Sequence, residues 1–260
     1  MITSANNILV RASSAKDIMS GTAKNWKFED SITAMKKAEK IWREHMWNRV
    51  DLRSNKYTEK GVECEEESIT LYSKYKKRFF KKNEKRLSNK YITGLLDLYI
   101  GDDIENADEV IDIKTVWSWE TLPMRPELKK TDYKWQGVSY MDLTNAHKAT
   151  IAYCLVNTPP EKILAEIRRK QYEYNVIDPD TDEDFKVLCR LIERNHIVNI
   201  DEFQKDYPHY QWYNDIDKWE YDIPLEQRVK EVVIERNESD IFALHARIEE
   251  MRAYLNKYFF

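Results

Sequence analysis

Three side chains between Tyr91 and Val116, in YITGLLDLYIGDDIENADEVIDIKTV, are of the wrong type for their surroundings. Asp97 interrupts Leu96 and Leu98, Asp112 interrupts Ile111 and Ile113, and Lys114 follows two residues later. Strand side chains alternate faces, so Asp112 and Lys114 share one face while Ile111 and Ile113 enter a core on the other. Isolated carboxylates and ammonium groups are costly to take out of water, so charges placed this way should be paired or bound to a metal. Two acids and a lysine on adjacent strands suit metal-assisted hydrolysis of a phosphodiester. Such a reaction needs charge compensation on the non-bridging oxygens, a nucleophilic water near neutral pH and a stabilised leaving oxygen, and Mg²⁺ on hard oxygen ligands serves all three. A surface strand pair would account for Asp112 and Lys114 alone, but not for the matching intrusion of Asp97.

The elements that must position these groups can be read from periodicity. Tyr91–Ile100 and Glu109–Val116 are apolar runs joined by the polar connection Gly101–Asp108, which predicts a β-hairpin. Helices are expected over 29–53, with an apolar stripe Ile32, Met35, Ala38, Ile41, Trp42 and Met46, and over 56–82, with Ile69, Leu71, Tyr72, Tyr75, Phe79 and Phe80. Further helices are expected from Asp132 to Lys148 and over 238–258, with strands at Thr150–Val156 and 226–235. Residues 158–222 read as a helical insertion with pieces at Glu161–Glu173, Thr181–Asn195 and Asp201–Lys205, because about 65 residues give a marginal core alone. Its Tyr- and Trp-rich end, 207–221, either packs that insertion or stacks on single-stranded bases. The resulting fold class is α/β, a central mixed β-sheet flanked by helices in a single domain spanning 1–260.

Composition narrows the alternatives. Only five glycines, with no GxGxxG or GxxxxGK[ST], argue against a glycine-rich phosphate loop, and three cysteines without CxxC spacing suggest neither a disulfide framework nor zinc. A net charge of −4 gives no global signal for nucleic acid, so binding would need a local basic face. One exists: Lys74, Lys76, Lys77, Arg78, Lys81, Lys82, Lys85, Arg86 and Lys90 stand against Glu84 alone. It is either a solvated helix end or, leading as it does into the acidic strand, a surface for a DNA backbone with Lys77, Arg78 and Lys81 as contacts. No run approaches the roughly 20 apolar residues of a membrane helix, so no membrane is expected and a cytoplasmic location is the default. The acids Glu63, Glu65, Glu66 and Glu67 read as complements to a helix dipole, His147 and His196 as structural or surface residues, and Arg11 with Ser13 as a solvated arginine and a helix cap.

Taken in order, these residues resemble the bacteriophage lambda exonuclease family of the PD-(D/E)XK nuclease superfamily, which has a restriction-endonuclease-like core. Gly61 and Glu65, four apart, fall in the register of that family's glycine and helical metal-site glutamate. Thr93-Gly94-Leu95-Leu96-Asp97 looks like its first acidic strand, Val110-Ile111-Asp112-Ile113-Lys114 like its (D/E)xK strand, and Gln136 with Tyr140 like its QxxxY helix. Arg11-Ala12-Ser13 resembles its N-terminal phosphate-contacting segment, and VVIERNESD at 232–240 its last strand and helix start. Residues 158–222 lie outside the resemblance. Leu96 stands where the PD half carries proline, and Asp112 is one methylene shorter than the alternative glutamate. The resemblance implies that Mg²⁺ or Mn²⁺ is held by Asp97, Asp112, the carbonyl of Ile113 and Glu65, with Lys114 orienting or deprotonating water. It places Gln136 near the lysine or scissile phosphate, Tyr140 against DNA or Lys114, and Arg11 and Ser13 on a phosphate. The implied activity is a 5′→3′ exonuclease on linear duplex DNA in phage-type recombination, working with a single-strand-annealing protein, in a family that forms rings of three. RecB- or Cas4-like single-strand or repair nucleases are the enzyme alternative, and a catalytically silent DNA-binding module of the same fold is the other.

Overall fold

The computed structural model describes residues 4–24 and 26–260. In chain order the main elements are β1 (Val10–Arg11), α1 (Ala15–Ile18), α2 (Ile32–Trp47), α3 (Lys56–Glu63), α4 (Glu65–Lys76), β2 (Leu87–Ser88), β3 (Ile92–Gly94), β4 (Leu98–Ile100) and β5 (Glu109–Thr115). They continue with α5 (Lys130–Thr144), β6 (Lys148–Cys154), α6 (Pro160–Glu173), α7 (Glu183–His196), α8 (Ile200–Asp206), β7 (Val229–Glu235) and α9 (Glu238–Phe259). Among the described residues the strands form two sheets, β1-β3-β2 and β4-β5-β6-β7, and the second is mixed: β5 runs parallel to β6, while β4 and β7 are antiparallel to their neighbours. The fold is therefore the mixed α/β architecture expected, with helices on both faces of the larger sheet.

Alternation along β5 divides the core. Ile111 and Ile113 join Ala152, Cys154 and Val229 against Ile69, Leu71 and Tyr72 of α4. Val110 faces the other way with Ala149, Ile151, Val232 and Ile234, in the core that also takes Val138 and Met141 of α5 and the inner side of α9. Asp112 and Lys114 thus lie beneath α5. That helix comes close because residue 137 is glycine: a Cβ there would fall 3.0 Å from Ile234 Cδ1 and 3.1 Å from Ala149 Cβ. The expected stripe of α9, Ile241, Leu244, Ile248, Met251 and Leu255, is buried throughout.

Several expectations are corrected. The run Tyr91–Ile100 is not one strand of a hairpin. It breaks at Leu95–Asp97, leaving β3 in the smaller sheet and only β4 paired with β5. The register Leu98↔Ile111 would, if continued, set Leu96 opposite Ile113. Instead the Ile113 N–H donates to Asp97 Oδ2, and the Leu96 carbonyl accepts from Asn83 Nδ2. Side chains have replaced the ladder, and pairing stops. At the other end of β4, Gly101 takes φ +139°, where a Cβ would also meet Ala107 Cα at 3.1 Å. The helix expected over 56–82 is two helices broken at Cys64, and α4 ends with Lys77 in the left-handed region, φ 52°. Residues 78–82 are therefore not helical, and Phe79 is 86% exposed instead of joining the apolar set. Ile32 also leaves its expected stripe, at 65% exposed, while Ala34 and Ala38 of α2 are buried. The helix expected to reach Lys148 ends at Thr144, and Lys148 begins β6.

Within 158–222 the helical pieces α6, α7 and α8 form close to their expected bounds and bury a cluster of their own, Ile163, Ile167, Phe185, Cys189, Ile192, Ile197 and Phe203. Tyr207, Tyr210, Trp212 and Trp219 pack against it, with Phe203 and Tyr210 rings 5.1 Å apart edge to face. These four rings are half-buried in that packing, while Tyr213 and Tyr221 of the same stretch are exposed.

Candidate active site

Where β4 stops short, the edge of β5 is left to Asp97. The N–H and C=O of one strand residue leave on the same side, so the Ile113 carbonyl points toward the same gap as the N–H that Asp97 takes at 2.6 Å. Asp112 is 3% exposed, with Lys114 Nζ 2.6 Å from its Oδ2 and Gln136 Nε2 donating to its Oδ1 at 2.9 Å. Gln136 also accepts from Lys114 Nζ at 3.4 Å, and Lys114 lies 4.8 Å above the ring of Tyr133. One amide thus holds both members of the ion pair, the i and i+4 geometry of α5 setting Gln136 and Tyr140 on one face.

Tyr140, expected against DNA or Lys114, is held here by Gln136 and the backbone. It is buried, accepts from Gln136 Nε2 at 3.0 Å and donates to the Leu95 carbonyl at 3.1 Å. Burial, followed by the charge of Asp112, holds its phenol in the protonated form. The break between β3 and β4 creates its partner, since a ladder would have used that stretch of backbone.

The electrostatics favour a cation. Burial first, then the charge of Asp112, push the Asp97 carboxyl up to about 7, against the opposing pull of the Ile113 N–H and Lys114. Burial disfavours the Lys114 ammonium, but Asp112 overcomes this and leaves its pKa raised. Asp112 Oδ2 is buried and, although paired in charge with Lys114, has no aligned hydrogen bond. Two carboxylates largely out of water with a carbonyl beside them are a hard-oxygen donor set, so Asp97, Asp112 and the Ile113 carbonyl fit Mg²⁺ or Mn²⁺.

Glu65 is near enough to Asp97 for its charge to add to the upward push on that carboxyl. It opens α4 with Glu66 and Glu67 in the first turn, and its Oε2 lies 2.8 Å from Lys82 Nζ. Among the described residues no group of three carboxylate, imidazole or thiolate side chains is gathered as a metal cage. A metal drawing on Glu65 would have to compete with Lys82. Glu63 belongs to the end of α3 and pairs with Lys162 at 3.1 Å.

Of the outlying candidates, Ser13 shares a recess of about 360 Å³ with Lys16, Asp17, Asp132, Tyr133 and Gln136, next to Lys114. Arg11 lines a different recess and lies 3.7 Å from Glu44, so the structure separates it from Ser13. Lys77, Arg78 and Lys81 are exposed just past α4. Sequence reasoning missed Asn83, whose N–H donates to the Asp97 carbonyl at 2.8 Å while its Nδ2 holds Leu96 O. No local pattern marks it. Lys82 and Tyr133 were visible only as members of a basic run and of the α5 sequence.

Half-buried Asp97 and buried Asp112 thus gather with Lys114 and Gln136 at the frayed edge of β5 in a mixed sheet. The chain is similar to a phage-related exonuclease from Haemophilus somnus 129PT, at 23% identity and TM-score 0.64, covering 96% of this chain and 95% of that one. It is similar to the alkaline exonuclease LHK-Exo of Laribacter hongkongensis at 12% identity and TM-score 0.54, over 97% and 90% of the two chains. The complex of LHK-Exo with dAMP matches at 13% identity and TM-score 0.52, over 98% and 91%. The fold of these exonucleases is thus shared over nearly the whole chain. Neither a family model nor a curated protein matches the sequence.

Proposed function

We propose that the protein is a metal-dependent deoxyribonuclease, an exonuclease acting 5′→3′ on linear double-stranded DNA in phage-type recombination. The observation that carries this reading is the Asp97–Asp112–Lys114–Gln136 constellation on a fold shared with phage-related and alkaline exonucleases. When bound, Mg²⁺ or Mn²⁺ would supply Lewis-acid stabilisation of the phosphate and a water acidic enough to attack near neutral pH. Asp97, Asp112 and the Ile113 carbonyl would hold it, with Glu65 joining when Lys82 lets go or through water. Lys114 holds and orients the attacking water, and Gln136 keeps Lys114 and Asp112 in register. Ser13 and Arg11 would contact phosphate, Arg11 only after leaving Glu44.

Degradation of end-labelled linear DNA under Mg²⁺ or Mn²⁺, beside a closed circular control, tests the reading. Release of mononucleotides from the linear form alone is expected, from the 5′-labelled end first. Lys114→Ala should slow it by about 10²- to 10⁴-fold with DNA binding retained. Thermal unfolding gives a readout besides activity: Mg²⁺ should raise the midpoint of the parent and not of Asp112→Asn. Cleavage of the circle, or of single strands only, would favour a RecB- or Cas4-like nuclease. Inactivity under every metal would favour the silent binding module.

The same proposal includes a single-strand-annealing partner and a ring of three copies, read by co-purification and light scattering. No helix among the described residues is long and apolar enough to cross a membrane, and a cytoplasmic location belongs to the proposal.

A further inference from the structure

The segment from Lys77 to Lys85 carries the chain from α4 back to the sheet, and the site above uses only Lys82 and Asn83 of it. Both ends are anchored. Phe80 is buried with its ring 5.4 Å from Tyr72, and its N–H donates to Ser73 Oγ. Asn83 is hydrogen-bonded to Asp97 O, Leu96 O and Lys85 O. The neighbouring Phe79 is 86% exposed.

Charge accompanies the ring. Within the segment Lys82 pairs with Glu65 and Lys85 with Glu105, but Lys77, Arg78 and Lys81 are exposed and have no carboxylate within ion-pair distance among the described residues. A recess of about 370 Å³ lies among Arg78, Phe79, Lys81, Lys82, Lys85 and Tyr99. Asn83 lies four residues after Phe79, so at most about 14 Å of chain lies between the Phe79 Cα and the residue bonded to Asp97. That is on the order of four nucleotides at the 3.4 Å rise of a stacked strand.

A scattered exposed aromatic is ordinary on a surface. An exposed ring that lines a recess with Arg78 and Lys81, on a segment tied through Asn83 to the Asp97 backbone, is matched by a nucleic-acid strand, which offers a π-face with phosphates on either side. Inside a duplex both faces of a base are covered by its neighbours, so the free face belongs to an unpaired base.

We propose that Phe79 is a stacking platform for an unpaired DNA base beside the scissile phosphate, with Lys77, Arg78 and Lys81 on the flanking phosphates. The adjoining scissile phosphate rests on the nuclease reading; the platform itself does not.

The test is binding of a single-stranded oligonucleotide carrying 2-aminopurine, followed by anisotropy and quenching in EDTA so that nothing is hydrolysed. The parent should bind with quenching. Phe79→Ala should weaken binding about 5- to 150-fold and abolish quenching, the range expected for losing one base stack. Phe79→Trp should restore both. Arg78→Ala and Lys81→Ala should each lower the salt slope of log K by about 0.7. Phe79→Ala should unfold at the parent's midpoint, the ring being solvent-exposed. The proposal is overturned if the parent does not bind, if Phe79→Ala binds within two-fold of the parent with quenching unchanged, or if a blunt duplex suffers the same loss as the single strand. A protein that hydrolyses DNA while Phe79→Ala behaves as the parent loses the platform alone. One that hydrolyses nothing but still needs Phe79 for single strands loses the nuclease reading alone.

Discussion

Asp112 sits in the middle of a strand covered on both faces, where an apolar side chain would cost nothing. Its carboxylate is tolerated because Lys114 supplies charge and Gln136 a donor, while Oδ2 keeps an unused lone pair. Removing one partner of a buried pair costs about 3–5 kcal/mol, so Lys114→Ala should also lower stability in urea, and its activity loss must be measured where it remains folded. Gln136→Leu is the cleaner probe. It leaves Asp112 and Lys114 in contact but free to rotate, and about a 10- to 100-fold loss in kcat is expected, as for outer partners of metal ligands. Gln136→Glu should do no better, since it places a third acid beside Asp97 and Asp112. Asp97, Asp112 and Lys114 were legible in the sequence because each is charged in an apolar strand run, whereas Glu65 and Gln136 were legible only through the resemblance of their motifs. Asn83 was not, since its partners are backbone carbonyls 13 residues away in the chain and at the adjacent turn.

At the scale of elements, the site depends on how near α5 lies to the sheet. Gly137, next to Gln136, permits the approach, and Ala149 opposite it belongs to a strand that cannot retreat. Gly137→Val should therefore cost about 1–3 kcal/mol through overpacking, despite the gain of replacing a helical glycine. It should also lower kcat, because lifting α5 draws Gln136 from Asp112; urea unfolding and steady-state rates on one sample separate the two effects. The hairpin read from alternating residues was half right. β4 and β5 pair as expected, but Asp97 takes the N–H that the preceding residues would have bonded, a side-chain competition that alternation cannot reveal.

For the whole molecule, the helices of 158–222 meet the end of the larger sheet at Trp117, Thr158 and His196. His196 Nδ1 lies 3.1 Å from Thr158 Oγ1, and its ring packs edge-on to Trp117, whose carbonyl accepts from the buried Lys60 Nζ at 2.9 Å. Burial, then the charge of Lys60, lowers the pKa of His196 to about 4. A histidine depressed on folding takes up its proton more readily when unfolded, so stability is present above about pH 6.5 and lost as pH falls toward 4. The loss approaches about 3 kcal/mol for a shift of this size. Urea unfolding of the parent should weaken over that window, and His196→Gln should flatten the dependence. If the two profiles coincide, the titration of His196 does not carry the pH dependence.

Local order was enough to determine the type and sequence of the chemical groups: which residues are acids, which strand carries the lysine, and that Gln136 and Tyr140 share a helix face. Those features follow from the two- and 3.6-residue periods of the backbone. Only the tertiary structure decided that β4 stops short at Asp97, that Lys82 pairs with Glu65, that Tyr140 is buried and that Phe79 is not. Each of these outcomes is a competition between partners distant in the chain for one donor, one charge or one patch of core, and local spacing does not say which partner arrives.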